Sequence, residues 1–289
     1  MNKTLEIKNL TKYYGETLGV KDLSLELYEG EIFGFIGSNG AGKSTTIRSI
    51  MNLINRTSGN VFFMEKELKK DAVDLKKQIG YLPSEINLYD DFTVKEMLDY
   101  HEKFFEEDIH DKRTYLVDKL KLDEKKKIED LSLGNLKKVG IILALMHSPK
   151  LLIMDEPTSG LDPIIQNVFY ELLKEEKARG TTIFYSTHIL GEITKICDRV
   201  GIIKEGQLLS VERVSDLSKK SLNVVTITSK EIEKVVKAFN LEEEIRDNTV
   251  QFKSTMSSDI LIKTLSSYTI DNILIEEPTL EEMFLHYYE

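Results

Sequence analysis

An α/β fold organised around a largely parallel sheet is the expectation for this 289-residue chain, and three observations carry it. Short β-type runs alternate with helical patterns through roughly the first two hundred residues. Several runs, "LLIM" at 151–154 among them, are apolar without interruption, as strands covered on both faces are. Near Ser215 the texture changes, which divides the chain into an expected domain at 1–214 and a small α+β appendage at 215–289.

The elements follow in order. "LEIKNL" (5–10), "LSLELY" (23–28) and "EIFGFIG" (31–37) read as strands, the last two joined by a tight turn at Glu29-Gly30. "STTIRSIMNLI" (44–54) reads as a helix, "NVFFM" (60–64) as a strand, and "KKQIGYLP" leads from a helix end into another strand. A more polar helical stretch covers roughly 93–130. Then come the strand "LLIMD", the helix "IIQNVFYELLKEEKARG" ending at Gly180, the strand "TTIFYST", the helix "LGEITKICD" and a hairpin through Glu205-Gly206. In the appendage, "NVVTITS", "KEIEKVVKAF", "TVQFKS", "SSDILIKTLSS", "IDNILIEE" and "TLEEMFLHYY" alternate the two periods. No heptad run and no internal repeat interrupts this order.

Composition narrows the class. An apolar fraction of 41% supports a real core, and no run approaches the ~18 residues that span a bilayer. "MNKTLEIKNL" lacks the apolar centre of a secretion signal, and the single cysteine, Cys197, can form no internal disulfide. A net charge of −10 weighs against sequence-independent nucleic-acid binding, which depends on neutralising phosphates. The appendage alone has about six more acidic than basic residues. A cytoplasmic protein that does not bind nucleic acid is expected.

One stretch carries chemistry. "FIGSNGAGKSTTI" places Gly37-x-x-x-x-Gly42-Lys43-Ser44 after a strand and at the opening of a helix, the P-loop pattern in the context it requires. Its glycines let successive backbone N–H groups converge on phosphate oxygens, aided by the partial positive charge of the helix start. Lys43 is expected to reach the β- and γ-phosphates of ATP, and Ser44 to ligate Mg²⁺. The acidic partner for that metal is Asp155, at the end of "LLIMD", where ligands gather in open α/β sheets. Glu156 beside it is placed to orient or deprotonate water. Ser132, in "LSLGNLKKV", is a good helix N-cap, and the residues alone leave open whether it does more.

Taken together, "GSNGAGKST", "LSLGN", "LLIMDEPTSGLD" and "STH" resemble the ATP-binding subunits of ABC transporters over residues 5 to about 215. The resemblance implies a P-loop NTPase of ABC type, with a mixed sheet core and a helical subdomain at about 85–135. It implies two ATP-binding domains meeting face to face, as a homodimer or a heterodimer with a second ABC ATPase. Ser132 and Gly134 of one would then grip the γ-phosphate held by the loop of the other, which includes Gly37, Asn39, Gly40, Ala41, Gly42, Lys43, Ser44 and Thr45. Tyr14 matches the family's adenine-stacking aromatic, with Tyr13 as the alternative. Asp162 matches the residue coupling the two ATP sites, and His188 the histidine at the γ-phosphate. Glu156, His188 and Lys43 are the expected catalytic set. The partner implied is a separate transmembrane permease, with this chain cytoplasmic and peripheral at the inner face of the cell membrane.

The sequence departs from the family twice. Leu133 and Asn135 replace a glycine and the glutamine of Leu-Ser-Gly-Gly-Gln, and a leucine cannot enter positive φ without strain, so a stiffer loop is expected. The glutamine expected after "IGYLP" is absent, and Pro83-Ser84-Glu85 stands there, with Glu85 or a bridging water as the substitute. The alternative, a soluble ABC ATPase acting on ribosomes or DNA, is disfavoured by the single P-loop. The interval of about 110 residues between Ser44 and Asp155 also lacks heptads. "IGYLPSE", Leu133 and the ending "EEPTLEEMFLHYY" are similar to exporters for drug and antimicrobial-peptide resistance in Gram-positive bacteria. Within that group the likeness is to subunits serving bacitracin-type drugs, lantibiotics or amphipathic toxins such as phenol-soluble modulins.

Overall fold

The structure, a computed structural model, describes residues 2–217, 223–239, 241, 245–254, 256 and 258–276. The segment 279–288, expected above as part of the appendage, lies outside the described residues. The chain divides into two compact units, Met1–Val214 and Ser215–Glu289.

The first unit opens with β1 (Lys3–Tyr14) and β2 (Thr17–Tyr28), a hairpin whose strands alternate inward and outward. Leu5, Ile7 and Leu10 pair with Leu27, Leu25 and Leu23, so one face is apolar and the other is left to Lys8, Asn9 and Asp22. β3 (Ile32–Ile36) follows, with all five residues buried. After it come α1 (Lys43–Ile50), β4 (Ser58–Phe63), the two-residue β5 (Lys66–Glu67), α2 (Val73–Lys76) and β6 (Ile79–Leu82). The helical region holds α3 (Val94–Glu102), α4 (His110–Leu120), a 3₁₀ turn at Ile128–Asp130 and α5 (Leu133–Leu145). Then follow β7 (Leu151–Asp155), α6 (Pro163–Ala178), β8 (Thr182–Thr187), α7 (Leu190–Ile196), β9 (Arg199–Lys204) and β10 (Gln207–Arg213), after which the short α8 (Val214–Leu217) runs across the boundary between the units in sequence.

These strands form two sheets rather than one. The first is antiparallel in the order β2-β1-β4-β5, and the second runs β10-β9-β3-β8-β7-β6. All pairs in the second are parallel except the β9–β10 hairpin. The Glu29-Gly30 turn therefore carries the chain from one sheet to the other. The physical reason is the pattern of burial. β2 has one apolar face and suits an antiparallel layer, whereas β3 is apolar throughout and must lie inside a sheet covered on both sides. One core joins the layers, with Leu5, Ile7 and Phe63 from the first sheet meeting Phe33, Phe35, Ile153 and Phe184 from the second.

In the helical region, Thr93 caps α3 through a reciprocal box with Glu96. The buried Arg113 of α4 is held by Asp99 at 2.5 Å, Glu124 at 2.6 Å and Glu102 at 3.2 Å, which staples α3 and the segment after α4 together. No helix among the described residues is long and apolar enough to cross a membrane.

The second unit alternates β11 (Asn223–Thr228), α9 (Ile232–Phe239), β12 (Thr249–Ser254), α10 (Ser258–Leu265) and β13 (Asn272–Glu276). Its sheet is antiparallel in the order β12-β11-β13, and its own core gathers Val225, Ile227, Val235, Val250, Phe252 and Leu261.

Candidate functional site

The loop between β3 and α1 is shaped by glycines that no other residue can replace. Gly40 and Gly42 have φ of 81° and 108°, in the left-handed region. A Cβ on Gly37 would stand 2.5 Å from the Ile203 carbonyl oxygen, and one on Gly42 would stand 2.7 Å from that of Gly19. The loop is thus wedged between the end of β9 and β2. Gly206 N donates to Ala41 O at 2.9 Å and anchors it from the β9–β10 turn.

Lys43 opens α1 and is only 5% exposed. Its Nζ donates to the Gly37 and Ser38 carbonyls at 2.8 and 3.1 Å and stands 3.6 Å from Glu156 Oε1. Burial pulls its pKa below the usual lysine value, opposed by Glu156 and then Asp155. A buried cation within a ring of glycine backbone suits a polyanion, so the loop fits a nucleotide phosphate chain.

β7 delivers the acidic pair. Asp155 is 1% exposed and accepts from Ser186 Oγ at 3.1 Å, across the β7–β8 step of the sheet. Glu156 leaves the strand with φ 48°, a left-handed conformation that costs a non-glycine residue roughly 1–2 kcal/mol. Its N–H donates to Ser186 O at 3.0 Å, which holds this conformation. The kink turns the side chain so that one oxygen, Oε1, faces Lys43 and lies 3.2 Å from His188 Nδ1. Lys43, Glu156 and His188 therefore converge from three elements, with Asp155 adjacent. Ser44 is next to Lys43 in α1, and its hydroxyl with the Asp155 carboxylate supplies the hard oxygen donors that suit Mg²⁺.

Tyr14 ends β1 beside the start of α1. Its hydroxyl lies 3.5 Å from Thr45 Oγ1, and the Lys12 ammonium sits 4.8 Å from its ring centre. Tyr13 is tied elsewhere, its N–H donating to Thr57 Oγ1 at 2.9 Å. Asn39 is exposed at the tip of the loop.

Ser132, Gly134 and Asp162 are not brought to this loop. Among the described residues, no hydrogen bond or ion pair joins Ser132 to residues 37–45. Ser132 caps α5, accepting from Asn135 N at 3.4 Å, and Asp162 caps α6, accepting from Ile164 N and Ile165 N at 3.0 Å each. The two helix starts are packed together: a Cβ on Gly134 would lie 2.8 Å from the Gly160 carbonyl oxygen. Leu133 does not enter positive φ, in keeping with the constraint a leucine imposes on this segment. Leu133 is the first residue of α5, is absent from the positive-φ residues, and points a 66% exposed side chain over Gly160. A helical first residue needs no glycine, so the substitution costs the backbone nothing there.

Two contributors escaped the sequence reading. Glu192 of α7, buried at 5%, accepts from Thr158 Oγ1 at 2.5 Å, Thr187 Oγ1 at 2.6 Å, Tyr185 OH at 3.0 Å and Tyr170 OH at 3.3 Å. Burial pushes both phenols up in pKa, so they remain donors. Thr158 lies two residues beyond Glu156 and Thr187 immediately precedes His188, so Glu192 fastens together the segments carrying both. The other is Lys137, whose Nζ donates to the Ser84 and Pro83 carbonyls at 3.0 and 3.4 Å. Glu85 is exposed. The only sequence signal for either was a charged residue on the apolar side of a helix.

Comparisons with known proteins agree with this geometry. The model of the ABC transporter family matches residues 20–159. The linearmycin resistance ATP-binding protein LnrL of Bacillus subtilis (strain 168) is 33% identical over 98% of this chain and 97% of its own. The bacitracin transport ATP-binding protein BcrA of Bacillus licheniformis is 35% identical over 86% of this chain and 83% of its own. A solved structure, the dimeric post-hydrolysis state of an ATP-binding cassette bound to ADP and Pi, superposes with a TM-score of 0.66 at 25% identity, covering 73% of this chain and 98% of that one. The chain belongs to the ABC transporter family, as a nucleotide-binding subunit that hydrolyses ATP to power membrane transport. Cassettes of this family dimerise and act with transmembrane permease subunits. This favours the transport reading over a soluble ATPase working on ribosomes or DNA.

Proposed function

We propose that two copies of the ATP-binding unit, this chain with itself or a paralogue, enclose Mg-ATP and drive an exporter of antibiotics or amphipathic peptides at the inner face of the membrane. The cargo class rests on the linearmycin and bacitracin subunits to which the chain is similar. The single observation that carries the catalytic assignment is the convergence of Lys43, His188 and the left-handed Glu156 on one carboxylate oxygen.

Tyr14 stacks on the base, the backbone of residues 37–45 cradles the phosphates, and Lys43 leaves its carbonyl partners for the β- and γ-phosphates. Ser44 and Asp155 would hold Mg²⁺, which would neutralise phosphate charge when bound. Glu156 orients the attacking water and accepts its proton. His188, 3.2 Å from Glu156, holds that carboxylate and steadies charge on the γ-phosphate. Ser132 and the N–H groups at the start of α5 serve the γ-phosphate of the partner copy, which accounts for their distance from loop 37–45 in their own chain. Asp162, at the adjoining start of α6, couples the two sites.

The test is Glu156→Gln, with mass measured by light scattering in Mg-ATP. The variant should accumulate a stable dimer and lose at least about a hundredfold in kcat. A monomeric variant turning over at the parent rate would refute the assignment.

A further inference from the structure

Lys137 is a charged group that the mechanism above leaves unused. It lies on the second turn of α5, is 2% exposed, and forms no ion pair among the described residues. Its ammonium is spent on two backbone carbonyls, Ser84 at 3.0 Å and Pro83 at 3.4 Å, in the loop that leaves β6. Both belong to the stretch where the family's glutamine is missing. A lysine held this way costs desolvation, and burial does pull its pKa down, with Asp155 and then Glu156 opposing. The charge therefore lies within the field of the two carboxylates that end β7. Nothing about helix packing requires a cation there, because the other buried positions of α5 are apolar, Val139, Ile141, Ile142 and Leu145 among them.

We infer that Lys137 is a positioning residue that pins the Ser84 loop to α5, so that the helix start serving the partner's ATP and the loop that leaves β6 move as one body. This rests on the proposed role of Ser132 across the dimer. The tether replaces a side-chain reading of the site by Ser84, whose hydroxyl is short, with a main-chain link donated from α5. Closure of the dimer pulls α5 through its N-terminus, and Lys137 hands that displacement to residues 84–92, which carry the exposed Tyr89. Lys137 need not touch nucleotide to do this.

The experiment compares Lys137→Met, which fills similar space without a donor, with Lys137→Gln, which is neutral but can donate. It uses the full chain, with and without Mg²⁺ and a non-hydrolysable ATP analogue. The parent should show nucleotide-dependent protection from hydrogen exchange at both the start of α5 and residues 84–92. Lys137→Met should bind ATP within about twofold of the parent, lose about tenfold in kcat, and keep protection only at α5. Lys137→Gln should stay within about threefold in kcat and retain protection in both segments. Parent-like coupling in Lys137→Met, or equal loss in both variants, overturns the inference. Should Lys137→Met fail to fold, Lys137→Gln decides alone: protection of 84–92 retained supports the tether, and protection lost overturns it. A parent chain without protection at α5 would instead count against the dimeric reading of Ser132.

Discussion

Glu156 shows how much a single residue depends on what surrounds it. The sequence places it after Asp155 at a strand end, and that adjacency was enough to nominate it. Its left-handed φ of 48° and the Ser186 carbonyl that holds its N–H were not legible, because both follow from the register of β7 against β8. The expected behaviour of this group of residues can be measured separately. Lys43→Ala should abolish nucleotide-stimulated activity, with affinity for ATP falling more than tenfold by equilibrium binding, or about 1.4 kcal/mol. His188→Ala should leave ATP affinity within about twofold while lowering kcat about tenfold or more, since His188 meets the carboxylate and developing charge rather than the base. Glu192→Ala removes the acceptor of four hydroxyl groups, all of them on buried residues. Unfolding in urea should show a loss of roughly 2–4 kcal/mol, and Glu192→Gln should recover part of it.

At the scale of elements, α5 joins two tasks that the sequence presented as alternatives. Ser132 is an ordinary N-cap in its own chain, and the same helix start offers unpaired N–H groups to an anion outside it. Ser132→Ala should therefore cost about 1 kcal/mol in stability, as cap removal does, while weakening nucleotide-driven dimerisation more than binding by the monomer. Equal losses in sedimentation and binding assays would reduce Ser132 to a cap. Leu133→Gly tests this view of the segment. With no left-handed residue to relieve, the glycine should lower stability by up to about 1 kcal/mol through its helix propensity rather than raise it. The β1–β2 hairpin teaches a related lesson. Its alternation identified strands, but which sheet they join depended on contrast with the uninterrupted burial of β3.

For the whole molecule, pH exposes a device of packing. His147 stacks on Phe105 with ring centres 4.6 Å apart and meets His101 edge-on at 6.0 Å. Burial, then the neighbouring His101, brings His147 down to about 4, and burial lowers His101 as well. The unfolded rings bind protons below about 6.5, whereas the native rings resist them, so stability should fall as pH drops from about 6.5 towards 4. His147 contributes up to about 1.4 kcal/mol per pH unit in that window, His101 acts in the same direction, and neither adds to the pH dependence above neutrality. His147→Phe should flatten the parent's decline between pH 7.5 and 5 in urea titrations while leaving ATP affinity unchanged.

Local chemistry was written in the sequence. A glycine-rich turn between strand and helix, an apolar strand ending in Asp155-Glu156, and a capped helix start are all set by near neighbours, so loop 37–45, Ser44 and Asp155 could be nominated from spacing, whereas spacing gave Ser132 only as a helix cap and the family resemblance implied the rest. The tertiary structure decided what depends on distant segments meeting. It separated the N-terminal strands into their own antiparallel layer, seated Leu133 without strain, buried Glu192 among four hydroxyls, and brought Lys137 to a loop some fifty residues upstream. Hydrogen bonds and burial are properties of pairs, and sequence order carries no record of which pairs form.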